Sequence, residues 1–337
     1  MVPNRTKRMS ELVRRDAVEA AARALRGVAV RTPLLAAPWL SDETGAEVRL
    51  KCENLQRAGA FKIRGAYTLI ARLPEAERQR GVIAYSSGNH AQGVALAARL
   101  FGVSAVVVMP TTAPKIKVEG ARNLGAEVVL EGTTSTERQV RAEAIAAERG
   151  LVIVPAFDHA DIIAGQATVG LEILADWPDV ELILVPIGGG GLVAGIAAWV
   201  KRSKPSCRVI GVEPENADAM ARSIEAGAPV SIVSVPTIAD GLMPVRPGDL
   251  TFAHVRELVD EIVRVPDDDI LDATRALLAR GKLVVEFSGA ATVAALRSGA
   301  VSASGRRVAA VLSGGNLDPA RALSLMNGGE TAVAAHA

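Results

Sequence analysis

Lys62 stands in the segment Gly59-Ala60-Phe61-Lys62-Ile63-Arg64-Gly65-Ala66, one lysine among small residues and an aromatic. Apolar bulk beside a lysine lowers its pKa, and small neighbours leave room for a flat ring, a setting suited to covalent capture of an aldehyde. The ordinary alternative is a solvated surface charge. Three glycine-rich turns add weight to the first reading. Gly188-Gly189-Gly190-Gly191 lies between a strand-like run and a helical one. Four successive glycines let backbone amides turn inward at a helix N-terminus and bind a phosphate without a lysine. As a mere flexible turn, they would cost roughly 0.5–1 kcal/mol each in chain entropy. Ser86-Ser87-Gly88-Asn89-His90 offers hydroxyls and free amides suited to a carboxylate, or a plain helix cap. Ser313-Gly314-Gly315-Asn316 presents a hydroxyl that could meet a ring nitrogen, or a turn required for steric reasons alone. Thr237-Ile238-Ala239-Asp240-Gly241 is a fourth polar loop. The lysine, the phosphate cradle and the anion-binding turn together specify a phosphorylated aldehyde beside an amino acid.

The elements that must hold these turns are βα units. The sequence predicts a helix over 10–25, then strands over Val82-Tyr85, Ala105-Met109, Glu127-Leu130 and Leu151-Val154. Helices are predicted between them over Ala91-Phe101, Pro114-Leu124 and Thr136-Glu148. A second array has strands at Leu182-Ile187, Arg208-Val212, Glu261-Val265 and Arg307-Leu312. Its helices are Leu192-Lys201, Asp218-Ala226 and Asp267-Ala279. Continuous Val/Ile/Leu strands alternating with helices predict parallel sheets covered on both faces. The expected fold class is α/β, two open parallel-sheet domains with the site in the cleft between them, since ligands collect outside strand carboxyl ends.

Composition bounds the remaining classes. The chain has 337 residues, 49% hydrophobic and 3% aromatic, and a formal net charge of +1, which makes nucleic acid and anionic membranes poor partners. Two distant cysteines, Cys52 and Cys207, fit a reducing cytoplasm. The first fifteen residues carry no apolar signal core, and apolar runs fall short of the ~20 residues that span a bilayer. His90, His159, His254 and His336 lack metal-ligand spacing, and no G-x-S-x-G elbow, G-x-G-x-x-G or Walker lysine pattern is present.

In this order and spacing, Phe61-Lys62-x-Arg64-Gly65-Ala66, Ser86 to His90, the tetraglycine, Glu213-Pro214, Thr237 to Gly241 and Ser313 to Asn316 resemble fold type II pyridoxal-phosphate enzymes. The nearest branch is the threonine/serine dehydratase and serine racemase family, with a tryptophan-synthase-β-like architecture, and the resemblance runs from about residue 10 to 325. It implies a large cofactor domain over 1–75 and 156–330, a small mobile substrate-side domain over 76–155, and a tail over 331–337. It assigns Lys62 to the Schiff base with pyridoxal 5'-phosphate and to proton transfer at Cα, Phe61 to packing beside the ring, and Asn89 to the ring hydroxyl. The amides of Gly188, Gly189, Gly190, Gly191 and Leu192 hold the phosphate, and Ser313 faces the pyridine nitrogen. Ser86, Ser87, Asn89 and His90 receive the substrate carboxylate.

The implied reaction is β-elimination of a 3-hydroxy amino acid, L-threonine or L-serine, to a 2-oxo acid and ammonia. A serine beside the pyridine nitrogen leaves it largely unprotonated, which favours loss of a β-leaving group over transamination. The alternatives are a serine racemase using Ser87 on the opposite ring face, a dehydratase for 3-hydroxyaspartate or phenylserine, and a non-catalytic binding protein on the same scaffold. Ala60 replaces the family's usual serine, and Phe287 stands where a small residue or proline is usual. If both line the site, they favour a larger apolar substituent such as that of phenylserine; otherwise Phe287 fills core volume. The family's cation site implies Glu213 and the Ala217 carbonyl. Ala219 occupies its aspartate position, with Asp218 one place early, which argues against a divalent ion and leaves a monovalent or other hard cation open. Family analogy and Ala/Leu/Val helical surfaces imply a homodimer or homotetramer.

Overall fold

The computed structural model describes residues 12–86, 88–113 and 115–326. Short runs of Val, Ile and Leu become strands because branched side chains pack well on a pleated, two-sided buried surface. The four-stranded unit contains β3 (Val82–Tyr85), α5 (Asn89–Phe101), β4 (Ala105–Met109), α6 (Lys115–Asn123), β5 (Glu127–Leu130), α7 (Ser135–Arg149) and β6 (Val152–Ile153). Its strand order is β5-β4-β3-β6, all parallel. The chain enters it through α1 (Arg15–Ala24), β1 (Leu34–Ala36), α2 (Pro38–Thr44), β2 (Glu47–Cys52), α3 (Lys62–Arg72) and α4 (Glu75–Arg80).

After α8 (Ala160–Asp176) come β7 (Leu182–Pro186), α9 (Gly191–Ser203), β8 (Arg208–Pro214), α10 (Ala219–Ala226), α11 (Asp249–Leu258) and β9 (Glu261–Val265). Next are α12 (Asp267–Ala279), α13 (Phe287–Arg297), β10 (Arg307–Leu312) and α14 (Pro319–Met326). The larger sheet has the order β1-β2-β10-β7-β8-β9, parallel except for the edge strand β1, which runs antiparallel to β2. Apolar clusters cover both faces of both sheets. Among the described residues, no helix is long and apolar enough to cross a membrane.

The strand orders locate the ligand crevice. In the larger sheet, β7 continues toward β8 while its other neighbour is β10. In the smaller sheet, β3 continues toward β4 while its other neighbour is β6. Each is a topological switch point, where the loops leave in opposite directions and open a crevice at the strand carboxyl ends. The turns at those ends are Gly188–Gly191 and Ser313–Asn316 in one sheet, and Ser86–His90 and 154–158 in the other.

Strands β1 and β2, absent from the expected pattern, extend the larger sheet on the far side of β10. Within β2, Lys51 is fully buried and pairs with Glu172 at 2.6 Å, so a polar-looking strand sits inside the protein.

Candidate active site

Lys62 is the first residue of α3, with Phe61 as its N-cap. Helix α3 is fixed from behind by an ion cluster. Arg64 meets Glu53 at 2.8 Å and Glu172 at 2.7 Å, and donates to Thr168 Oγ1 at 3.0 Å. Burial alone would lower the Arg64 pKa, but Glu53 and Glu172 outweigh it and raise it. For Glu53 burial raises the pKa, and Arg64, Lys51 and Thr32 together bring it below its usual value. Arg64 and Glu53 thus stay ionised, and Arg64 lies two positions along α3 from Lys62.

The Lys62 amine donates to the Ala156 carbonyl at 3.1 Å and lies 5.0 Å from the centroid of the Phe61 ring. Burial lowers its pKa to about 8, against an upward pull from Glu286. An amine so placed is available as a neutral nucleophile near physiological pH.

The segment after β6 joins this amine to the glycine turn. A β-carbon on Gly189 would overlap the Phe157 ring, so only glycine fits against that aromatic. Gly190 caps α9 with φ +94°, a left-handed conformation that a side chain would strain. Asp158 fixes the segment from the other end by accepting from the amides of Asp249, Leu250 and Thr251 at 2.9–3.1 Å, capping α11. Thr251 Oγ1 in turn donates to the Gly189 carbonyl at 2.6 Å. The glycine amides open α9 with its positive dipole end outward, a donor set of neutral N–H groups matched to a phosphate. The site fits such a group.

Ser313 follows β10 and is buried, and its carbonyl accepts from Phe61 N at 3.2 Å. Asn89 opens α5, and its side chain is held at both ends: Nδ2 donates to Glu286, and Oδ1 accepts from Asn316 Nδ2 at 2.9 Å. Asn316 also donates to the Ala58 carbonyl at 2.9 Å, back beside the lysine segment. In the turn expected to receive a carboxylate, Ser86 Oγ accepts from Gly88 N at 3.2 Å. Ser87 lies outside the described residues.

The His90 ring turns away from the turn, with Nε2 against the Val154 carbonyl at 2.9 Å. Burial and the nearby Lys62 push it down to about 3. It is therefore a neutral ring donating from Nε2, and its contribution to the turn is a main-chain N–H in the first helical turn, where such groups have no intrahelical acceptor.

Several residues that the sequence analysis did not single out also belong here. Glu286, the N-cap of α13, is buried, accepts from Asn89, and leaves Oε2 without a hydrogen bond. Burial raises it to about 7; Lys117 and Asn89 pull it down, and Asp240 pushes it up. Lys117 of α6 pairs with Asp240 and lies 3.9 Å from Glu286 Oε2. Phe157 and Ala156 complete the wall.

Other expected positions are accounted for differently. Phe287 is 2% exposed and belongs to the apolar cluster of the larger sheet, so its ring fills core volume. Ala60 is buried and bridges Gly314 main chain to main chain. Glu213 receives the amides of Met220 and Ala221, both at 2.9 Å, and Ala217 N donates to the Pro214 carbonyl at 2.9 Å. Asp218 receives Arg222 at 2.6 Å and Arg264 at 2.9 Å. Both carboxylates thus serve the protein's own donors, and among the described residues no group of three or more His, Cys, Asp or Glu could hold a metal.

Residues 25–314 match the family model described as "Pyridoxal-phosphate dependent enzyme". An L-threonine ammonia-lyase of Thermotoga maritima is 48% identical over 301 residues, 89% of this chain and 75% of the relative. An L-threo-3-hydroxyaspartate ammonia-lyase of a Pseudomonas species is 42% identical, covering 93% and 98%. Among solved structures, maize serine racemase superposes with a TM-score of 0.90 at 36% identity, covering 94% of this chain and 97% of that one. A threonine deaminase from T.th. has a TM-score of 0.86 at 42% identity, covering 90% and 99%.

Proposed function

Because the chain belongs to the pyridoxal-phosphate dependent enzymes, we propose that it is an ammonia-lyase that dehydrates and deaminates 3-hydroxy amino acids. L-Threonine gives 2-oxobutanoate and L-serine gives pyruvate, each with ammonia. The observation that carries the reading is the Lys62 amine, softened to about 8 by burial, between an aromatic ring and a wall that leads to a glycine-lined helix N-terminus. The threonine ammonia-lyase and threonine deaminase relatives support the substrate class.

Pyridoxal phosphate, when bound, would supply an electron-accepting ring. Lys62 Nζ would hold this group and would take and keep the proton from the substrate Cα, a task for which a pKa near the working pH is suited. The amides of Gly188 to Leu192 hold the phosphate. Phe61 packs beside the ring. Asn89, held by Glu286 and Asn316, orients the ring hydroxyl. Ser313 would face the ring nitrogen with a neutral hydroxyl, which would favour β-elimination over transamination. Ser86, with main-chain N–H groups of the first turn of α5, receives the substrate carboxylate. Residues 76–155 act as a small mobile lobe against 1–75 and 156–330.

Racemisation is a second reading, favoured by the likeness to maize serine racemase, with Ser87 as the second residue that would exchange a proton. The 3-hydroxyaspartate lyase relative supports a third substrate. A homodimer or homotetramer in the cytoplasm completes the proposal. Ammonia release from serine, threonine, phenylserine and 3-hydroxyaspartate, in both enantiomers, tests the reaction, and chiral chromatography of residual serine separates lyase from racemase. Absence of ammonia with every substrate refutes the lyase.

A further inference from the structure

The peptide between Gly189 and Gly190 has no side chain on either flank, so it can rotate at little steric cost. The freedom that lets its amide turn inward equally lets it turn out. A contact from outside the turn must fix one of the two orientations.

Thr251, in the first turn of α11, supplies that contact. It is fully buried, and its Oγ1 lies 2.6 Å from the Gly189 carbonyl and 3.1 Å from the Gly248 carbonyl. A hydroxyl has one proton to donate, and the shorter contact takes it. No peptide among the described residues is cis, and in a trans peptide the carbonyl and the next N–H point in opposite directions. Holding the Gly189 carbonyl against α11 therefore turns the Gly190 N–H away from that helix. Among the described residues no main-chain carbonyl takes this N–H.

Thr251 is itself held. Asp158 caps α11 and directly follows Phe157, whose ring fills the space over Gly189, so one acid fixes both the ring and the helix that carries the hydroxyl. His254, farther along α11, adds a second anchor: its Nδ1 donates to the Leu250 carbonyl at 2.7 Å, and its Nε2 accepts from Val13 N at 2.9 Å.

We propose that Thr251 is a positioning residue for phosphate recognition: its hydroxyl fixes the Gly189–Gly190 peptide so that the Gly190 N–H is presented to an anion at the N-terminus of α9. This rests on the reading that the amides of Gly188 to Leu192 hold the cofactor phosphate. Without the hydroxyl, the Gly189 carbonyl loses its donor and the peptide is free to rotate, which withdraws one N–H from the cradle and leaves the Lys62 amine where it is.

The test titrates the full-length protein with pyridoxal phosphate and, separately, with pyridoxal, following absorbance. Both ligands present the same aldehyde to Lys62, and only one carries a phosphate. Thr251→Val and Thr251→Ala both lack the hydroxyl and differ in bulk, so a loss shared by both belongs to the hydroxyl, and either one alone gives the comparison. In each, the affinity ratio of pyridoxal phosphate over pyridoxal should fall about tenfold, as expected for one hydrogen bond to a charged group. Thr251→Ser, which keeps the hydroxyl, should keep the wild-type ratio. A loss shared equally by the two ligands, or no loss, leaves the ratio unchanged and overturns the assignment of Thr251. Wild-type protein that binds pyridoxal as tightly as pyridoxal phosphate instead refutes the phosphate reading of the turn, and the role of Thr251 with it.

Discussion

At the residue scale, the chemistry turns on how burial retunes a few groups. Lys62 is lowered to about 8, so its amine is protonated at pH 6 and largely neutral at pH 9. Only the neutral amine attacks an aldehyde. The rate of covalent cofactor capture by the cofactor-free protein should therefore rise with pH and level off above about 8, as stopped-flow absorbance can follow. A profile still climbing toward the usual lysine value of ~10.4 would contradict the burial argument. The motif around Lys62 made this residue legible in the sequence. Glu286 was not, because a single acid ahead of a helix reads as an ordinary cap, and only the fold brings Asn89, Lys117 and Lys62 around it. Phe287 shows the opposite difficulty: an unusual residue type in a motif does not say whether the side chain faces the site or the core.

At the scale of elements, α3 is positioned by charge as much as by packing. Arg64 satisfies Glu53 and Glu172 in the interior, and Lys51 shares Glu172. Arg64→Ala leaves buried carboxylates without their main partner and should destabilise the protein by about 3–5 kcal/mol. Arg64→Lys, which keeps the charge but loses the planar fork, should recover only part of that loss. Urea denaturation measures both; a change below about 1 kcal/mol for Arg64→Ala would show that the cluster is not holding α3. The same charges explain why β2 was hidden: Arg49 and Lys51 interrupt its apolar run, and nothing local reveals that Glu172 will neutralise Lys51. The continuous Val/Ile/Leu strands β3, β4, β7 and β10 were readable because burial on both faces leaves an uninterrupted apolar run.

At the scale of the whole molecule, two parallel sheets set their switch points against each other, and each contributes turns the other lacks. The Gly188–Gly191 turn belongs to one sheet and the Ser86–His90 turn to the other, with contacts from Asn89 to Glu286 and from Lys117 to Asp240 crossing between them. The sequence indicated βα arrays and the turns, but not strand order, so the wall at Ala156 and Phe157 beside β6 emerged only from the topology. A cofactor that binds only the native arrangement should stabilise all of it: at a free concentration 100 times its Kd the gain is about 2.7 kcal/mol. Differential scanning calorimetry should show the unfolding transition moving to higher Tm with pyridoxal phosphate, and moving less in Lys62→Ala. Equal shifts in both proteins would mean that the lysine adds nothing to binding.

The claim on which the rest depends is the covalent bond between Lys62 Nζ and the cofactor. Borohydride reduction of the loaded protein, followed by peptide mass spectrometry, reads it directly. The expected result is cofactor mass on the peptide containing Lys62 and on no other. Label on a different lysine, or none in protein that still releases ammonia from threonine, would contradict it.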